Sequence, residues 1–117
     1  MRILMVLNDP PYGTERTYNG LRLAHNLLRT VEGAEVTVFL MGDAAAAART
    51  GQQTPNGYYN LERMLKGILT RGGAVLLCGT CMDARGLRDA DVVEGSRRST
   101  LDELTQLTAA AEKVLVF

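Results

Sequence analysis

Four stretches of this chain are apolar almost without interruption: Ile3 to Leu7, Val36 to Met41, Ala74 to Leu77 and Val114 to Phe117. A strand with one wet face alternates polar and apolar residues, whereas a strand covered on both faces does not. Between these runs lie segments in which apolar residues recur at helical three-and-four spacing. Strands separated by helices of 10 or more residues cannot be joined as tight hairpins and pair in parallel. The fold class this predicts is α/β: a three-layer α/β/α sandwich with a mainly parallel five-stranded sheet. With 117 residues and no linker or internal repeat, residues 1–117 read as a single domain.

The remaining elements follow from local signals. Asn8 to Gly13 carries two prolines and a glycine and breaks the first strand. Thr14 is placed to cap a helix bearing Tyr18, Leu21, Ala24, Leu28 and Val31, which Gly33 ends. Asp43 is read as the cap of the alanine run Ala44 to Ala48, and Thr50 to Gly57 as an exposed loop. Asn60 caps a periodic helix with Leu61, Met64, Leu65, Ile68 and Leu69 on one face, stopped by Arg71-Gly72-Gly73. Asp91 to Gly95 is read as a short fourth strand. Thr100-Leu101-Asp102-Glu103 fits a capping box, with Leu101, Leu104, Thr108 and Ala111 on one side of its helix. Lys113 to Phe117 closes the sheet.

Composition narrows the classes of function. A chain that is 46% hydrophobic and 22% charged is an ordinary globular one. Its 13 basic and 13 acidic residues cancel, so no bulk field steers it toward nucleic acid or an acidic membrane, and no direct nucleic-acid or membrane partner is expected. No apolar run approaches the ~18 residues of a membrane helix. The first seven residues are too short for the apolar core of a signal peptide. The expected location is cytoplasmic, where thiols are kept reduced and a Cys-x-x-Cys is more often catalytic or metal-binding than structural.

Both cysteines of the chain lie in Leu77-Cys78-Gly79-Thr80-Cys81-Met82-Asp83-Ala84-Arg85-Gly86, directly after the third strand. This puts two sulfurs at the carboxyl rim of a sheet, where ligands collect in open α/β folds. The turn after the first strand has neither a G-x-G-x-x-G nor a G-x-x-x-x-G-K-[ST] pattern, and no cofactor is expected. Two sulfurs supply half of a tetrahedral zinc site, and the single histidine, His25, falls in the first long helix, so no metal is assigned. A thioredoxin-like site is disfavoured because Gly86 interrupts any long helix five residues beyond Cys81.

A thiol with the ordinary pKa of ~8.5 is only about 3% thiolate at pH 7, whereas one near ~6.5 is mostly thiolate. Arg85 and Arg88, if the loop continues as helix, and the loop N–H groups favour the anion; Asp83 opposes it. On spacing alone, Cys78 as a small buried hydrophobe at a strand end remains an open alternative.

The chain resembles the DsrE/DsrF-like family, most closely its YchN-like branch of small sulfur-relay-type proteins. The resemblance is carried by Asn8 to Gly13, Tyr18 to Ala24, Phe39 to Ala44, Gly57 to Asn60, Leu77 to Cys81 with Asp83, Arg85 and Gly86, and Asp102 to Phe117. It implies a parallel α/β sandwich assembling as homotrimers or homohexamers. In sulfur-carrier members one cysteine accepts a sulfane sulfur as a persulfide and hands it to a partner, and that position maps onto Cys78. The carriers tend to have alanine-rich sequence where this chain has Thr80 and Cys81.

The expected function is therefore sulfur relay between donor and acceptor proteins, as a persulfide-carrying sulfurtransferase. Cys78 would be the acceptor, Cys81 a resolving thiol and Arg85 the stabiliser of anionic sulfur. Asn8, Tyr12, Thr14, Gly79, Thr80 and Asp83 are the expected pocket lining. The alternatives are a dithiol reductase and a non-catalytic oligomeric protein that binds a small ligand or partner, with redox-sensing cysteines.

Overall fold

The apolar runs form strands, and every pairing between strands is parallel. The computed structural model describes residues 1–55 and 59–117. In it β1 (Arg2–Leu7), β2 (Glu35–Leu40), β3 (Ala74–Cys78), β4 (Arg97–Ser99) and β5 (Lys113–Val116) make one sheet in the order β4-β3-β2-β1-β5. Asn56, Gly57 and Tyr58, at the end of the loop expected over Thr50 to Gly57 and in the Gly57 to Asn60 stretch, lie outside the described residues.

Helices α1 (Arg16–Thr30), α2 (Leu61–Thr70) and α3 (Gly79–Asp83) connect the strands from β1 to β4, with a 3-10 turn at Gly42–Ala48. Helix α4 (Leu101–Ala110) leads back to β5 at the far edge. Crossovers between parallel strands are right-handed, so steps in one direction leave helices on one face and a step back leaves its helix on the other. The packing follows that rule. Ile3, Met5, Leu7, Val38, Leu40, Val75 and Leu77 meet Leu21, Ala24, Leu65 and Ile68 on one face. Leu4, Val6, Phe39 and Leu76 meet Leu104 on the other. Side chains alternate between faces along each strand, and in β1, β2 and β3 both sets are buried, which is why those strands are unbroken apolar runs. The run in β5 is corrected, since at the sheet edge Val114 and Val116 are left exposed.

Asn60 caps α2, its side-chain oxygen accepting from Arg63 N at 3.0 Å. Several local expectations are corrected. Helix α1 starts at Arg16 without a side-chain cap, because Thr14 donates its hydroxyl to Asp9 instead. The alanine run is a 3-10 helix with Asp43 inside it, turned toward Arg85. Thr100 Oγ1 accepts from Glu103 N at 3.1 Å, but the Glu103 carboxylate goes to Arg97 and Ser99, so only half of the capping box forms. On α4 the stripe toward the sheet is Leu104, Leu107 and Ala111, while Leu101 stands 69% exposed and Thr108 is exposed too.

The fourth strand is also displaced. Asp89–Asp91 is a 3-10 turn and Val92 forms only an isolated bridge to Arg49; β4 is the polar Arg97–Ser99. Its register with β3 sets Leu76 opposite Arg97, Leu77 opposite Arg98 and Cys78 opposite Ser99. Successive side chains therefore leave on opposite faces. Arg97 reaches Glu103 of α4 at 2.6 and 2.8 Å, and Arg98 reaches α3. Two charged residues on an edge strand also discourage pairing with another sheet.

Two predictions follow from this packing. Leu65→Ala removes a fully buried side chain and is expected to cost ~2–5 kcal/mol in urea unfolding, whereas Leu101→Ala should change stability by less than ~0.5 kcal/mol. Bonds from Arg97 and then Ser99 hold the Glu103 carboxyl down at about 2, against an ordinary 4.5. A carboxyl depressed in the folded state contributes stability above its unfolded pKa and loses it as pH falls through the folded one. Wild type should therefore lose stability more steeply than Glu103→Gln between pH 4.5 and about 2, followed by circular dichroism; parallel curves would contradict the assignment.

Candidate functional site

Strand β3 ends at Cys78, and the chain turns at once into α3, so Cys78 is both the last strand residue and the cap of a helix. Its sulfur accepts from Cys81 N at 3.3 Å and lies 3.3 Å from the Thr80 hydroxyl. Cys78 packs against the α4 side of the sheet and Cys81 against the α1–α2 side, each half-buried. The two sulfurs thus meet over the rim of the sheet. They are joined as a disulfide, with Cα atoms 5.2 Å apart, inside the usual range for a bridged pair.

Two arginines hold this loop from opposite sides. Arg85 donates to Asp43 Oδ1 from Nε at 3.0 Å and from Nη2 at 2.7 Å, and to the Cys81 carbonyl from Nη1 at 3.1 Å. It ties α3 to the start of the 3-10 turn after β2, and two of its five N–H groups remain for other acceptors. Arg98 donates to the Gly79 carbonyl at 3.0 Å and to Asp83 at 2.8 Å, with Asp89 at 3.4 Å from its Nε. The hydrogen bond from Arg98 holds the Asp83 carboxyl below the usual carboxylate range. Asp83 thus faces a guanidinium, which offsets its repulsion of a thiolate. Arg88 turns away to Asp91, because α3 stops at Asp83 and does not carry it along a helix.

Gly79 is buried beneath the Arg98 side chain. A Cβ there would sit 3.0 Å from Arg98 Nη1 and 3.0 Å from the Ser99 carbonyl, one of them rigid backbone. Thr80 is exposed beside the Cys78 sulfur.

The residues expected on the loop after β1 have other partners. Asn8 donates from both its backbone N and its side chain to the Phe117 carbonyl, across the β1–β5 junction. Tyr12 bonds Gln52 and accepts from Leu61 N at 3.3 Å, which pins the start of α2. Thr14 bonds Asp9. These three lie at the carboxyl end of β1, two strands from β3, and their bonds organise that end without reaching the cysteines. His25 is a half-buried α1 residue whose Nε2 accepts from Arg71 at 3.1 Å. Among the described residues no three His, Cys, Asp or Glu side chains converge as metal ligands do, and no helix is long and apolar enough to cross a membrane.

Sequence reasoning missed Asp43 as the anchor of Arg85 and Arg98 as the second clamp. No hydrophobic pattern marks Arg98: the strand expected at Asp91 to Gly95 lies instead at Arg97–Ser99, three polar residues in a row. Arg98→Ala is expected to raise amide exchange across Gly79–Asp83 about tenfold, the scale of one lost hydrogen bond. Gly79→Ala, which needs backbone movement, should destabilise the fold by ~1–3 kcal/mol in chemical unfolding. Unchanged exchange in the first variant would remove the clamp.

Comparison with known proteins agrees with this architecture. Protein YchN of Escherichia coli (strain K12) is 40% identical over 116 residues, 99% of this chain and 98% of its own. Its crystal structure superposes with a TM-score of 0.93. Protein MJ0989 of Methanocaldococcus jannaschii is 33% identical over 117 residues, all of both chains. The structure of MTH1491 from Methanobacterium thermoautotrophicum shares the fold, with a TM-score of 0.82 at 13% identity over 99% of this chain. The profile of the DsrE/DsrF-like family matches residues 1–117 in full. With that match, its relatives and a parallel sheet ending in a paired-cysteine loop, the chain belongs to the DsrE/DsrF-like family.

Proposed function

We propose that this protein relays sulfane sulfur, with Cys78 as the carrying residue. The supporting observation is the position of the cysteine pair: a half-exposed sulfur on the last residue of a central-sheet strand, with a second sulfur within bonding reach. Membership of a family linked to sulfur relay points the same way.

Chemistry begins from the reduced pair, formed when a dithiol reductant delivers two electrons and two protons to the disulfide, as a cytoplasmic setting provides. The Cys78 thiolate attacks the outer sulfur of a donor persulfide. The new S–S bond gives Cys78–S–SH, and the donor leaves as its thiolate. An acceptor thiolate on a partner protein then takes that outer sulfur, and Cys78 leaves as thiolate again. A branch runs through Cys81: its thiolate attacks Cys78 Sγ, forms the Cys78–Cys81 disulfide and expels hydrosulfide. The dithiol reading is supported by the second sulfur lying within bonding reach of the first.

Arg85 and Arg98 serve as positioning residues in this scheme, bracing the loop at the Cys81 and Gly79 carbonyls. Donor and acceptor proteins are the partners. The protein works as a homotrimer or homohexamer; exposed Val114 and Val116 on edge strand β5 supply apolar surface for assembly.

The test is to reduce the protein, load it with a persulfide donor and map the added mass. Wild type should gain one sulfur on the Cys78 peptide, Cys78→Ser none, and Cys81→Ser should keep its sulfur longer because the expelling thiol is gone. Absence of uptake from any donor, with both thiols inert to alkylation, would overturn the proposal.

A further inference from the structure

The zero net charge of this chain hides a segregated distribution. Helix α1 carries Arg16, Arg22 and Arg29 and no acidic residue. Helix α2 and its cap carry Arg63, Lys66 and Arg71 against one acid, Glu62. Glu62 is turned inward, where it accepts from Gly51 N at 3.0 Å and Gln52 N at 2.9 Å and pairs with Lys66. The outer surface of the two helices is therefore cationic.

Between them runs a groove of about 730 Å³ lined by Arg22, Leu23, Arg29, Arg63 and Met64, with His25 and Gly67 in its wall. It continues past His25 and Gly67 into a second hollow with Arg71 at its edge. Among the described residues none of these four arginines has a carboxylate within salt-bridge distance. Arg22 and Arg29 donate to the neutral amides of Asn19 and Asn26, at 3.3 and 2.7 Å, and Arg71 to the His25 ring. Around the cysteine rim the arginines are paired, Arg85, Arg88, Arg97 and Arg98 all meeting aspartate or glutamate. Elsewhere exposed Arg49 also has no carboxylate within salt-bridge distance among the described residues, but it stands apart from the groove. Three guanidiniums without counter-charges around one concavity and a fourth at the adjoining hollow, with Leu23 and Met64 in the lining, describe an acceptor for something both acidic and apolar.

We infer that this groove docks an acidic amphipathic helix of a partner protein. Arg22 and Arg29 are seven residues apart, about 10.5 Å along the helix axis. A helix laid along the groove with carboxylates two turns apart presents charges at the same interval, and apolar residues between them cover Leu23 and Met64. Guanidinium–carboxylate pairs in such a seat are bidentate and set the register. A nucleic acid fits less well, because its phosphates leave the apolar floor uncovered. The neutral chain also lacks the broad positive field that gathers such polymers. A second copy fits no better. None of the four α-helices carries acidic residues seven apart, so the occupant is a different protein.

The inference stands apart from the sulfur chemistry, and its test separates the two. The probe is a fluorescein-labelled helical peptide of about 15 residues, with two glutamates seven apart and leucines between them, titrated against the full chain. It should bind at least ~tenfold more tightly than the same peptide with glutamine for glutamate, and should weaken as salt rises. Arg22→Glu/Arg29→Glu should lose at least ~tenfold for the glutamate peptide and recover binding to a lysine version. Sulfur loading of Cys78 from a small donor should be unchanged in that variant. Amide shifts of wild type on titration, concentrated in residues 19–29 and 63–71, give a readout independent of the variant's folding. Equal binding of the glutamate and glutamine peptides, amide shifts elsewhere, or tighter binding of oligouridylate than of the peptide would each overturn the inference.

Discussion

Burial of β3 on both faces is the constraint from which the site is built. Val75 and Leu77 are locked under α1 and α2, and Leu76 under α4, so the strand cannot slide or twist without exposing one set. A shift of one residue would exchange the faces of every side chain. Cys78, the next residue, is therefore delivered to a fixed place at the rim, opposite Ser99. The precision needed by a sulfur that must meet another sulfur comes from hydrocarbon packing several residues away.

From that fixed point the loop needs only to be held, and charge does the holding. Arg97 and Arg98 leave β4 on opposite faces, one to Glu103 of α4 and one to Gly79 and Asp83 of α3. Arg85 adds a strut to Asp43 after β2. Exposed ion pairs contribute little individually, but Arg85 and Arg98 also occupy backbone carbonyls of the turn, which makes them geometric constraints as well as charge pairs. With Asp83 and Asp43 engaged by guanidiniums, the acidic residues nearest the cysteines are compensated.

The same composition that neutralises the cysteine rim leaves the outer face of α1 and α2 uncompensated. The balance of 13 basic and 13 acidic residues is thus a sum over two unlike surfaces. Under the sulfur-relay function and the docking groove proposed above, the two tasks would fall on different parts of this fold: the rim of the sheet for chemistry, the paired helices for recognition.

Much of this was legible in the residues. The unbroken apolar runs of β1, β2 and β3 determine a parallel sheet covered on both sides, whereas the like run of β5 lies at an edge with Val114 and Val116 exposed; Asn60 and the Leu61–Leu69 periodicity likewise specify α2 locally. The cysteine spacing determines that two sulfurs share one loop. What the tertiary structure decided was everything that depends on partners distant in sequence. Leu101 and Leu104 look alike in a periodic pattern, but only Leu104 meets the sheet. Asp43 and Thr14 are credible caps by type, yet an arginine 42 residues away and an aspartate five back offered better bonds. The fourth strand is polar because β4 lies at an edge, where register with β3 outweighs local apolarity. Hydrophobic periodicity is a property of neighbours in the chain and survives as sequence; hydrogen-bond and ion-pair partners are chosen among groups that only folding brings together.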